Sequence, residues 1–268
     1  MSRNGPLALV FHALFVAFML APILVVCIVA FTPEGYLSFP TDRWSLRWFY
    51  AIGRYPEFIS AFWRSLWLGA LSSAVAVVIS VPAALAIARH RFPGREAMTA
   101  LFMSPLMIPH VVLGIAFLRF FTQIGLGGTF AGLVLAHIVI VLPFALRLTL
   151  ASAVGMDRSI EHAAVSLGAS DWIVLKRVTL PLVLPGLISG WALAFINSFD
   201  EVTMTVFIAA PSTVTLPVRM FLYIQDNIDP LVTSVSACVI AVTVAALVAL
   251  DRAWGLERLL VGRQADGR

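Results

Sequence analysis

The side chains best suited to chemistry stand together in one short stretch, Asn197-Ser198-Phe199-Asp200-Glu201, inside a run that is otherwise apolar and long enough to cross a bilayer. A carboxylate within a membrane span costs roughly 2.5–3.5 kcal/mol on insertion scales, so two neighbouring ones do not face hydrocarbon. Successive helical residues point about 100° apart. One carboxylate is therefore predicted to face a polar path and the other a neighbouring helix. Two roles fit: attraction of a cationic solute, or a structural pair with an arginine such as Arg119 or one from a partner chain. Asn197 and Ser198 offer neutral hydrogen-bonding groups on the same path, or act as glue between helices. His110 and His137 are single histidines among bulky apolar neighbours and read as packed core or helix–helix contacts. No metal-ligand spacing joins them, and no nucleophile–base arrangement is legible. The chain carries no GxxxxGK[ST] phosphate loop.

The elements that must position these groups follow from composition. Of 268 residues, 60% are hydrophobic and only 12% charged, with mean hydropathy +0.96. Soluble domains carry about 25% charged residues. An interior cannot absorb this much apolar side chain, so the excess must face lipid, and an all-α polytopic membrane protein is predicted. Cys27 and Cys238 both lie in apolar runs, which argues against a disulfide framework. Six transmembrane helices are predicted, at about 6–31, 62–88, 98–121, 129–150, 185–209 and 231–250, forming a single membrane domain over residues 1–268. The first run exceeds a secretory apolar core of about 7–15 residues and reads as a retained span. In the third, Pro105, Pro109 and Gly114 interrupt the helix, which is tolerable only against protein or a water-lined cavity. The connector 32–61 interleaves Trp44, Trp48, Phe49, Tyr50 and Tyr55 with charges. Between two spans this pattern reads as an interfacial belt rather than a nucleic-acid surface.

The net charge of +4 is distributed unevenly. With six spans, the side holding the termini carries twelve of the 18 Lys and Arg residues, against five opposite and Arg119 within a span. Basic residues gather on the cytoplasmic side, so both termini and the polar segment 155–185 are predicted to be cytoplasmic. Within that segment, 159–167 reads as a short helix that Gly168 ends, and Ser170 starts a second piece. So structured a connector between spans suggests docking onto another protein.

Its residues resemble the cytoplasmic signature loop of ABC importer permeases: Ala163-Ala164, Gly168-Ala169, Val178 and Leu180-Pro181, with Glu161 and His162 ahead of the alanines. The family has Glu immediately before the two alanines, where this chain has His162, with Glu161 one position earlier. RHRFPGR after the second span, LMIPHVVLG in the third and FDEVTMTVFIAAPSTVTLPVRMFLYI extend the likeness to permeases of the spermidine/putrescine type. The resemblance implies a type I ABC importer permease fold in the bacterial inner membrane. It implies pairing with a second permease subunit, two copies of an ATPase beneath and a periplasmic solute-binding protein, with no role for nucleic acid. The chain itself would not be an enzyme and would bind no cofactor, ATP and Mg being held by the partner ATPase. Glu161, His162, Ala163, Ala164, Gly168, Ala169, Leu180 and Pro181 would couple to that ATPase, and Asn197, Ser198, Asp200 and Glu201 would line the solute path. The solute implied is a polyamine or similar small organic cation, another organic solute being the alternative. A gradient-driven secondary transporter fits less well, since it predicts inverted repeats and usually more spans.

Overall fold

The computed structural model describes residues 5–41 and 43–254, and every described regular element is a helix. In order these are α1 (Pro6–Val29), α2 (Arg47–Ile52), α3 (Pro56–Arg89), α4 (Arg95–Met103), α5 (His110–Gln123), α6 (Phe130–Gly155), α7 (Ser159–Ser166), α8 (Asp171–Val174), α9 (Leu180–Phe199), α10 (Thr205–Ile208), α11 (Leu216–Asp226) and α12 (Leu231–Trp254). A 3-10 turn over Ser104–Met107 follows α4, and a π-helical turn over Leu175–Thr179 joins α8 to α9. Five stretches are long and apolar enough to cross a membrane: Leu7–Val29, Pro56–Arg89, Phe130–Gly155, Asp171–Phe199 and Leu231–Ala249. A sixth crossing is possible only as a bent pair, Arg95–Met107 with His110–Gln123, whose axes differ by 101°. The fold is thus an all-α polytopic membrane fold.

Pro105 and Pro109 account for the bend. Pro109 lacks an N–H and adopts an extended ψ of 132°, so the helix cannot pass through it and α5 restarts at His110. Gly114 then allows α5 to approach backbone closely: a Cβ there would lie 3.0 Å from the Met204 carbonyl oxygen.

The described chain falls into two compact units, one of residues up to Ser60 with Arg219–Ala249, the other of Ala61–Val218 with the described residues from Leu250 on. In the first, Phe31 packs between Trp44 and Phe49 at ring-centroid distances of 5.6 and 4.9 Å. The Trp48 indole donates to the Glu34 carbonyl at 2.9 Å, and Arg47 lies over the Trp48 ring. The Tyr223 hydroxyl donates to Asp229 at 2.8 Å, and burial with this bond pushes its phenol well above the ordinary range. Helix α1 buries little of itself against the rest of its unit. Leu7 and Phe18 are 83% and 72% exposed, as expected of a helix whose solvent is lipid.

The second unit has a core of Leu68, Ala76, Phe121, Leu133, Val141, Ala145, Ala194 and Met204. Its central pair is α6 with α9. Gly186 and Gly190, four residues apart on α9, face α6. A Cβ at Gly186 would lie 2.3 Å from the Ser152 Cβ and 2.9 Å from the Leu148 carbonyl, and one at Gly190 would lie 3.1 Å from the Ala145 carbonyl. Small residues at this spacing bring two membrane helices into backbone contact where no hydrophobic effect drives them together.

The fifth span departs from the sequence expectation at both ends. The fifth span is not helical through 209: α9 stops at Phe199, and 200–204 form an irregular turn before α10. Nor does its helix begin at 185, because α8, the π-helical turn and α9 run without a break from Asp171. Pro181 has no N–H to offer the Arg177 carbonyl, and the hydrogen-bond ladder takes the wider register over the turn just ahead of it.

Candidate functional site

The carboxylate pair sits at the break after α9. Asp200 closes that helix with φ −86° and ψ −3°, its N–H donating to the Ile196 carbonyl at 3.1 Å. Its side chain is exposed and forms no hydrogen bond or ion pair with the described residues. Glu201 is 8% exposed. One carboxylate oxygen accepts the Met204 N–H at 2.6 Å, and the other lies 2.7 Å from His110 Nδ1. These bonds explain why the helix does not continue, since Glu201 satisfies an amide one turn ahead that the ladder leaves open. Of the two roles open to the carboxylates, pairing with Arg119 is not formed: Arg119 is exposed, and His110 at the start of α5 holds Glu201. The two neighbours thus part ways, Glu201 inward as a fastening and Asp200 outward as a free charge.

Asn197 is half-buried and donates its amide to the Leu193 carbonyl at 2.8 Å on its own helix. Ser198 is buried in a polar chain through the core: Ser72 Oγ at 3.0 Å on one side, His137 Nδ1 at 2.8 Å on the other, and from His137 Nε2 on to Thr205 Oγ1 at 3.0 Å. His110 and His137, read from sequence as packing residues, therefore both bind the segment around the carboxylates. Ser72 and Thr205 gave no signal of their own, because isolated hydroxyls occur throughout membrane helices.

The second region is the polar segment between α6 and α9. Asp157 Oδ1 accepts the Ser159 N–H at 2.9 Å, opening α7. That bond holds its carboxyl below the usual range. Gly168 ends the helix in the left-handed region (φ +84°), with its N–H donating to the Val165 carbonyl and the Ala169 N–H to the Ala164 carbonyl. This is the glycine-terminated cap in which any side chain at 168 would be strained. Glu161 is buried: Arg89 Nη2 and the Thr179 hydroxyl both donate to its Oε1, and Arg89 also reaches Thr179 Oγ1 at 3.2 Å. One carboxylate therefore ties the end of α3, helix α7 and the π-helical turn together. The outward face of α7 carries His162, Ala163, Gly168 and Leu167, the last 89% exposed. Ala164 and Ala169 are half-buried. Leu180 and Pro181 lie in the first turn of α9 rather than beside α7 in sequence.

Among the described residues no three His, Cys, Asp or Glu side chains gather as metal ligands. Long apolar helices and polar groups satisfied by other helices define a multi-pass integral membrane protein. Residues 76–252 match the family described as binding-protein-dependent transport system inner membrane component, and the chain belongs to that family. It is the permease subunit of an ABC importer for a small solute. Over 233 residues it is 28% identical to the spermidine/putrescine transport system permease protein PotC of Haemophilus influenzae, covering 87% of this chain and 90% of that protein. It is 34% identical over 215 residues to the molybdenum transport system permease protein ModB of Mycobacterium bovis, covering 75% and 81%. Among solved structures, a bacterial ABC transporter that imports the acidic polysaccharide alginate has a chain that superposes with TM-score 0.70 at 16% identity, covering 95% of this chain and 98% of that one.

Proposed function

We propose that this chain moves a small organic cation of the polyamine type, such as putrescine or spermidine, as the membrane path of an ATP-driven importer. The observation that carries the reading is Asp200. It is a carboxylate at the helix break that directly follows the apolar stretch Asp171–Phe199, exposed and without a partner among the described residues. An uncompensated negative charge in such a place lowers the barrier for a cation and raises it for an anion. The likeness to PotC supports the same solute class. The higher identity to ModB supports a second reading, a solute of different chemistry carried on the same fold, and Asp200 weighs against an anionic one.

In this account the termini and the segment 155–185 are cytoplasmic, and ATP is hydrolysed by a separate subunit pair seated beneath a dimer of permeases. A periplasmic binding protein hands over the solute. The face of α7 bearing His162, Ala163, Leu167 and Gly168 docks on the ATPase. Glu161 holds α7 to the body of the permease, so that movement of the ATPase is passed to α3 through Arg89 and to α9 through Thr179.

Uptake of putrescine into proteoliposomes holding the complete importer tests the solute. Asp200→Asn should lower uptake on the order of tenfold, for a loss of about 1.4 kcal/mol of cation attraction, while the complex still assembles. Glu201→Gln should lower the yield of assembled complex instead. Unchanged putrescine uptake in Asp200→Asn would refute the assignment.

A further inference from the structure

We infer that His137 is a positioning residue, whose imidazole clamps shut the 200–204 turn by binding Ser198 in the helix before it and Thr205 in the helix after it. This rests on the reading that the turn carries the pathway carboxylate. Ser198 lies in the last turn of α9 and Thr205 opens α10. The two ring nitrogens of His137 reach one each, at 2.8 and 3.0 Å. Of these side chains, Ser72, His137 and Thr205 are wholly buried and Ser198 is 2% exposed.

The protons in this chain can be counted. Each hydroxyl has one to give. Ser72 gives its own to the Leu68 carbonyl at 2.6 Å, so at the 3.0 Å contact with Ser198 it accepts. Ser198 has then used its proton, and its oxygen receives Nδ1–H of His137. The other nitrogen, Nε2, is left as an acceptor for the Thr205 hydroxyl. The count assigns one neutral tautomer and one direction to the whole line, with no donor or acceptor of the ring unused. An apolar side chain of similar size would fill the space and leave the Thr205 hydroxyl without this partner in a dry core, a loss comparable to a hydrogen bond. On its far side the turn is held by Glu201, through the Met204 N–H and His110. Met204 is wholly buried against Gly114 on α5, which has no side chain to keep it away. The turn is thus fastened by two histidines from two different helices, and Asp200 is its one outward carboxylate.

A core histidine that merely filled space would, when replaced, weaken the whole unit evenly. A clamp would loosen the turn first. The test is the rate at which a small thiol reagent modifies Met204→Cys in the assembled importer, with Cys27 and Cys238 replaced by alanine. Leu146→Cys on α6, also wholly buried, reports global opening. His137→Leu should raise modification at 204 about tenfold, the factor that corresponds to about 1.4 kcal/mol of opening, with a much smaller change at 146. His137→Asn, which keeps an amide donor toward Ser198, should recover part of the protection. Should His137→Leu fail to assemble, Thr205→Val removes one bond and should move position 204 the same way. Equal increases at 204 and 146, or no increase at 204, would overturn the inference. No solute enters this assay, so an importer that ignores putrescine would count against the proposed solute and leave the clamp still open to measurement.

Discussion

Replacing Glu161 by alanine should cost the permease about 3 kcal/mol, and replacing its partner Arg89 as well should cost much less than the sum of the two. The reasoning is electrostatic. The two side chains are only 11% and 18% exposed, and Thr179 donates to the same carboxylate oxygen. Pairs on a wet surface are worth about 0–1 kcal/mol. Removing one partner of a buried pair costs about 3–5 kcal/mol, chiefly because the other charge is left stranded. At this burial a value near the lower end of the second range applies. The stranded charge here would be Arg89, whose Nε is already buried without a partner among the described residues. Glu161→Ala should therefore lower the melting temperature of the detergent-solubilised complex by roughly 6–12 °C, taking 2–4 °C per kcal/mol for a domain of this size. Arg89→Met combined with Glu161→Leu removes both charges and retains packing, and its effect should be clearly smaller than that of the two single changes added. Single variants within about 0.5 kcal/mol of the parent, or strict additivity in the double variant, would refute a buried clamp and leave Glu161 as an ordinary surface residue.

Other consequences are more local. Gly186→Val should separate α6 from α9, because even a Cβ would lie 2.3 Å from Ser152, and yield of folded protein should fall sharply while Leu182→Val on the exposed face leaves it intact. The Asp157 cap has a definite sign in pH. Its carboxyl is held below the ordinary value of 3.8, so its contribution to α7 is complete above that value and disappears as pH falls through the lowered one. Protection of the Ser159 amide from exchange should follow that course, and loss of protection at higher pH would contradict it. Leu167→Asp should weaken recovery of the ATPase with the permease, because that side chain is 89% exposed on the face assigned to docking, and unchanged recovery would remove it from the contact.

What was legible in the sequence and what was not divide along one physical line. Lipid exposure is a property of composition, so the all-α membrane fold could be read from run lengths and hydropathy. The break at Pro109 was legible because a missing N–H is a local fact. The end of α9 was not. By periodicity the run continues to 209, but Glu201 captures the Met204 N–H while His110, 91 residues earlier, takes the other oxygen. The orientation of Glu161 likewise depends on Arg89, 72 residues away. In both cases the residue is legible and the pairing is not, because pairing across helices leaves no trace in spacing. Gly186 and Gly190 were passed over for the same reason: their importance lies in what faces them on α6. His137 was seen but read as packing, and only its two partners, both hydroxyls, give it a task.

On the proposed function, this chain passes a small cation inward only as part of an ATP-driven assembly. Reconstituting it with a second permease, the ATPase pair and the binding protein, and recording ATP hydrolysis together with putrescine accumulation, tests that most directly. Hydrolysis should be stimulated by the solute-loaded binding protein, and uptake should cease without ATP. Accumulation by this chain alone, driven by an ion gradient and indifferent to ATP, would contradict it.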